Sequence, residues 1–237
     1  RARMIPGRNV MANRPRMIRY VGTPTQLTLP TALMPYTCFC ITHPGSGAHH
    51  RRGLVQMRTL EEDLQAANEY HGHLCHGMVM GVRMARYACR ELGIDEPRTY
   101  RDLIVYVEMD RCASDAVAVV TGVTLGRRRL KWMDYGKMAA TFVDLGTGRA
   151  VRLAPQPDVP HAGRDQDPLT LWSDWSDDRL FSCTPVRVDI PPEDRPGRPL
   201  RTIICAGCGE QVQDGREEEC DGRLLCRACA GKGYYTL

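Results

Sequence analysis

The sequence has no apolar run approaching the roughly 18 residues that a membrane-spanning helix needs. Its longest clean one, Leu-Ile-Val-Tyr-Val at 103–107, has the length of a strand. Residues 1–56 contain no Asp, Glu or Lys. They show no secretory-type apolar core and no sustained period of 3.6 or 2, so neither a signal peptide nor an amphipathic transit helix is visible there. A closely spaced ferredoxin run of four cysteines is also missing, which removes iron–sulfur electron transfer from the readings. Nowhere is there a recognisable substrate motif.

The formal net charge of +4 conceals an asymmetry. Eight of the 32 basic residues fall in 1–56; the other 24 face all 28 acidic residues, leaving 57–237 at −4. A nucleic-acid surface on the patterned part of the chain therefore has no electrostatic support, and a zinc-finger regulator is the weakest of the functional readings. Residues 1–56 are expected to be a disordered or non-native leader, upstream sequence read through before a natural start at Met57. Cys38, Cys40, His43, His49 and His50 within it are taken as non-functional.

Eleven cysteines are many for 237 residues, and four sit in two C-x2-C pairs. That distribution favours metal binding in a reducing compartment, hence a cytoplasmic protein, over a secreted disulfide framework. The pairs are Cys205/Cys208 and Cys226/Cys229, seventeen residues apart. Two intervening residues let a tight turn aim both sulfurs at one ion, and Gly207 and Gly209 supply the positive φ and the room for it. Four thiolates would close a structural Zn²⁺ site with no open position. A module of about 35 residues builds little core, so the metal would contribute much of its folding free energy. Cys220 lies between the pairs and is read as a bystander.

From Met57 on, the pattern implies an α+β fold, with helices packed on a mostly antiparallel sheet and a small C-terminal zinc-finger module. The expected units are 57–190 and 200–237. Thr59 and Glu62 form a capping box ahead of a helix to about Tyr70. Met78, Val82, Ala85, Cys89 and Leu92 mark one apolar helix face, with Arg83, Arg86 and Arg90 on the wet side and Gly93 as the C′ residue. Strands are expected at 102–109, 129–136 and 184–190, a helix within 111–122, a hairpin over 139–153 and a short helix near 172–181. Residues 154–170 read as linker.

Tyr-His-Gly-His-Leu-Cys-His-Gly-Met at 70–78 concentrates three of the seven histidines. In an extended bend His71, His73 and Cys75 alternate onto one side and form a partial site for a borderline ion such as Zn²⁺. Cys75 also precedes a helix N-terminus, which favours a thiolate as ligand or nucleophile. Equally, the two histidines read as polar helix-end residues and Cys75 as packing. His76 is expected to be exposed. Gly77 and Gly81, one turn apart, leave a bare stripe for another backbone. A second cluster follows the strand over 102–109: Glu108, Asp110, Cys112 and Asp115, with Cys112 able to supply a further thiol.

These two clusters, the Thr-Gly-Val-Thr-Leu-Gly…Asp-Tyr-Gly-Lys segment (121–137) and the four-cysteine finger together resemble, in the same order, the FmdE-like family of formylmethanofuran dehydrogenase. The resemblance implies a homodimeric α+β domain with a metal-associated cleft and often a C-terminal zinc finger. It carries the site onto His71, His73, Cys75 and Cys112, a second divalent metal site expected to take Zn, with Asp110 and Asp115 behind them and Tyr135 and Lys137 lining the cleft. Val123 stands where many members have Cys, so any ligand role there is lost, and His76 replaces the usual Pro or Gly. The molybdenum or tungsten pterin chemistry of the named enzyme lives in other, larger polypeptides. The function implied is a metal-binding accessory protein supporting a molybdenum- or tungsten-dependent formate-type oxidoreductase. The alternative is a stand-alone enzyme using the metal as Lewis acid or water activator, with Cys75 or Cys112 as ligand or nucleophile and Asp110 or Asp115 as general base.

Overall fold

The computed structural model describes residues 57–161, 163 and 165–235. The leader and its cysteines and histidines lie outside them. Among the described residues no helix is long and apolar enough to cross a membrane.

The capping box forms as the sequence dictates. Thr59 and Glu62 each bond the other's backbone N–H, and α1 runs Leu60–His71. The second helix, α2, spans His76–Leu92 and ends at Gly93 in the left-handed region. Its predicted face is buried, Met78, Val82, Ala85 and Cys89 completely. Val79, Met80, Met84 and Ala88 are buried as well, so α2 is a central helix covered on most sides. This corrects the wet face. Arg83 and Arg86 are only partly exposed, because later segments supply partners for them. Arg83 bonds Asp177 and the carbonyls of Trp172 and Trp175; Arg86 bonds Asp63 and the carbonyl of Arg58. Only Arg90 faces water.

Strand β1 (Leu103–Val107) is followed by helix α3 (Cys112–Thr121) and strand β2 (Leu130–Trp132), which pairs parallel to β1. A ten-residue helix supplies the crossover that a parallel pair requires. The expected hairpin is present as β3 (Ala140–Asp144) and β4 (Ala150–Pro155). A single helical turn, α4 (Asp177–Leu180), leads into β5 (Phe181–Pro185), so the last strand starts and ends earlier than predicted. Buried Phe181 sits opposite Pro155 and sets its register. The sheet order is β2-β1-β3-β4-β5, antiparallel except for β1–β2.

Alternation divides the two sheet faces. Leu103, Val105, Phe142 and Leu153 join the core beneath α2 and α3, whereas Ile104, Val143 and Ala150 meet Ile190 on the other face. Each fully buried Leu or Phe contributes roughly 1.5–3 kcal/mol. The stretch 186–190, predicted as strand, instead lies over that second face.

Two hairpins complete the chain: β6 (Thr202–Ile204) with β7 (Gln211–Gln213), and β8 (Glu217–Cys220) with β9 (Arg223–Cys226). Charged side chains tie them to the sheet edge. Arg128 bonds Asp214, Lys131 Nζ donates to the carbonyl of Asp194 at 2.6 Å, and Arg216 meets Asp194 Oδ1 at 2.6 Å.

Candidate metal centre

Helix α1 ends because Gly72 adopts φ 87°, its N–H closing on the carbonyl of Asn68. The chain then turns sharply into Cys75, the extended N-cap of α2. His71 is thus the last helical residue, not part of an extended run. The alternation expected for His71, His73 and Cys75 fails at that left-handed step. His73 is exposed, its ring centroid 4.8 Å from that of His71.

Cys112 reaches the same place through helix packing. A Cβ on Gly81 would lie 2.7 Å from both the carbonyl oxygen of Ala113 and Cβ of Ala116. One on Gly77 would lie 3.1 Å from Cβ of Cys112 and 3.7 Å from Sγ of Cys75. The bare stripe is therefore where α3 crosses α2, and only glycine permits the approach. His71, Cys75 and Cys112 offer donor atoms that all lie within 4.8 Å of one another. His73 is not among the three. Burial and the neighbouring Cys75 thiol push the Cys112 thiol up.

The carboxylates divide their tasks. Nδ1 of His71 lies 2.9 Å from Oδ2 of Asp115. An ionised carboxylate only accepts, so Nδ1 carries the proton and Nε2 keeps its lone pair for another partner. Asp110 is two-thirds exposed, 3.8 Å from Arg111, and outside the cluster. Glu108 is a strut: Arg152 on β4 holds it with two 2.7 Å bonds and keeps its carboxyl below the usual range.

Beside the cluster lies a cleft of about 700 Å³, whose wall includes Gly77, Asp110 and Cys112. Gly136 and Met138 line it, whereas the predicted Tyr135 and Lys137 are exposed and outside its lining. His76, predicted exposed, is half-buried in this wall, edge-on to Trp172 with centroids 5.6 Å apart, and its Nε2 has no partner. The sequence reading missed Trp172 and the wall formed by 155–161. Their Pro-rich composition signals only a loop, and no local pattern marks them.

The C-terminal thiols of Cys205, Cys208, Cys226 and Cys229 also lie within 4.8 Å of one another, and Cys220 stands apart. Gly209 takes φ 78° at the first turn. Gly207 provides room instead, since a Cβ there would lie 2.9 Å from Sγ of Cys229. The backbone N–H groups of Cys226 (3.1 Å) and Gly207 (3.3 Å) donate to Sγ of Cys205. Such donors lower that thiol to about 6, with the Cys226 amide the largest contribution. The chemistry of both donor sets, N/S₂ and S₄, suits a borderline thiophilic ion.

Residues 70–173 match the family described as "FmdE, Molybdenum formylmethanofuran dehydrogenase operon". These residues form an FmdE-like domain. The chain is similar in fold to an FmdE-like protein of tungsten formylmethanofuran dehydrogenase from Syntrophus aciditrophicus: TM-score 0.51, 21% identity, covering 75% of this chain and 95% of that one. It is also 39% identical over 203 residues to a probable S-adenosyl-L-methionine-binding protein of Archaeoglobus fulgidus. That alignment covers 73% of this chain and 54% of the relative, so the chain spans about half the length of the curated relative it matches. The FmdE match begins one residue before His71 and ends one after Trp172. It encloses the His/Cys cluster and both cleft-lining side chains, His76 and Trp172, and leaves the four-cysteine group outside.

Proposed function

We propose that this FmdE-like protein is a metal-binding accessory factor, supporting a molybdenum- or tungsten-dependent formate-type oxidoreductase. The observation that carries the reading is the convergence of His71, Cys75 and Cys112 beside an open cleft. Three protein donors, one of them in the cleft wall, leave room for a further ligand from the cleft. Zn²⁺ is the proposed ion here, and at the four-cysteine group, where the ligand set is complete and the role structural. Bound at the first site, the ion would supply Lewis acidity or activate a water. Asp115 fixes the His71 tautomer, and Gly77 and Gly81 keep the two thiols together. Homodimer formation and a cytoplasmic location belong to the same reading.

Metal analysis of the purified full chain tests it. Two equivalents per chain are expected, one lost in Cys75→Ser and the other in Cys208→Ser. A single equivalent that Cys75→Ser leaves untouched would sink the first site.

A second reading takes the protein as a metal-dependent enzyme in its own right, favoured by the cleft that opens at Cys112. Asp115 is committed to His71, so Asp110 on the rim would serve as general base. The name of the Archaeoglobus relative makes S-adenosyl-L-methionine the first ligand to try, against a wall of Met80, Met109, Met138 and Trp172. Equilibrium dialysis showing saturable uptake that Trp172→Ala abolishes would favour this reading; no uptake by metal-loaded protein would remove it.

A further inference from the structure

Away from the cleft, a second cavity of about 540 Å³ is lined by Arg101, Arg127, Arg128 and Arg129, closed on another side by Pro196 and Gly197. Three of the four arginines arrive through one turn. Arg128 N–H closes on the carbonyl of Leu125 at 2.8 Å, and Arg128 itself sits at φ 59°, a left-handed conformation unfavourable for a side chain of its size. That strained residue is turned away to Asp214 and Asp194, which take up its charge.

The other three have no such relief. Arg129 is only 5% exposed, and its guanidinium donates to the carbonyls of Tyr100 (2.9 Å) and Gly122 (3.2 Å), which bring no countercharge. Arg101 and Arg127 are exposed, and among the described residues no carboxylate forms an ion pair with Arg101, Arg127 or Arg129. The three charges feel one another: burial first, then Arg127 and Arg101, hold the Arg129 guanidinium below its usual range. A buried, unneutralised charge with two like charges beside it is costly, and a chain that is net −4 over 57–237 has carboxylates to spare. Leaving this cavity without one points to an anion supplied from outside.

We propose that this cavity binds the phosphate group of a small molecule, with Arg129 as a fixed positive floor and Arg101 and Arg127 as clamps on the oxyanion. Guanidinium forks match phosphate oxygens in pairs. A monocarboxylate would neutralise one of three charges, whereas a diphosphate approaches all three, and the volume admits a nucleotide-sized body. Cationic S-adenosyl-L-methionine is the wrong sign for this cavity, so the site is distinct from the cleft beside Cys112.

Titration calorimetry of the full chain at low salt, with inorganic pyrophosphate and with ADP, tests the assignment. Saturable binding is expected that weakens as salt rises, and Arg101→Gln/Arg127→Gln should reduce affinity about tenfold or more for each guanidinium removed. Both side chains are exposed, so circular dichroism should show the fold unchanged. Arg187→Gln, exposed and outside the cavity, should leave binding intact. Tighter binding of ADP assigns a nucleoside diphosphate; equal binding assigns the phosphate group alone. Absence of saturable binding at millimolar pyrophosphate and ADP, or equal binding by the double variant, overturns the proposal.

Discussion

His71 and Asp115 meet through a 2.9 Å hydrogen bond although 44 residues separate them in sequence. The bond joins the last residue of α1 to the first turn of α3 and sets which imidazole nitrogen faces a ligand. Asp115→Ala should therefore lower metal affinity at the His71/Cys75/Cys112 site about 10–100-fold. The four-cysteine group should keep its metal. Chelator competition on the full chain reads both sites, and an unchanged first affinity would deny Asp115 its orienting role.

The α2–α3 crossing makes a sharper demand. At Gly81 an added Cβ meets the Ala113 backbone, which has no rotamer to yield with. Gly81→Ala is expected to cost about 1–3 kcal/mol, read as a lower urea midpoint, and to weaken metal retention at Cys112 with it. Gly93→Ala is the comparison. Nothing lies within 4 Å of its Cβ position, but φ is 74°, so stability should fall by about 1 kcal/mol without loss of metal.

Metal removal should act unevenly along the chain. The hairpins β6–β7 and β8–β9 bury little apart from Cys205 and Asp214. Stripping metal with a strong chelator, or Cys208→Ser, should expose 200–235 to protease while 57–190 survives. Cys220→Ser should change neither pattern. Simultaneous cleavage of both regions would show that the finger supports the rest of the fold.

Glu108 and Arg152 predict an acid limb to stability. The Glu108 carboxyl lies below its ordinary value of 4.5, chiefly through its bonds to Arg152. A depressed carboxylate contributes stability that is present above the unfolded value and is lost as pH falls through the folded one. The urea midpoint should thus decline from about pH 4.5 downward. Arg152→Met strands a carboxylate that is 8% exposed and should cost about 1–3 kcal/mol near neutral pH. That difference should shrink as Glu108 protonates; a pH-independent difference would reduce Arg152 to packing.

Local signals translated directly into local structure. The Thr59–Glu62 box, the Gly93 cap, the apolar face of α2 and the hairpin around Gly146 and Gly148 each involve residues a few positions apart, so the chain states them without help. Where the expectation failed, a distant segment had intervened. Arg83 and Arg86 look solvent-facing until Asp177 and Asp63 arrive to pair them. The strand expected at 184–190 is shortened because Phe181 takes the core position opposite Pro155. His73 drops out of the three-donor group because one left-handed glycine breaks the alternation on which it depended.

The sequence by itself determined the helices with their caps, the two C-x2-C turns, and the residue types able to hold a metal, since each depends on spacing within a turn or two. Tertiary structure alone decided that His71 and Cys75 meet Cys112, that Asp115 turns to His71, and that His76 and Trp172 wall a cleft. It also decided that three arginines share a cavity without a carboxylate. These juxtapositions follow from how closely α3 crosses α2 and where the loops after β1 and β4 come to rest. Such packing is fixed by the whole core at once, and no local pattern encodes it.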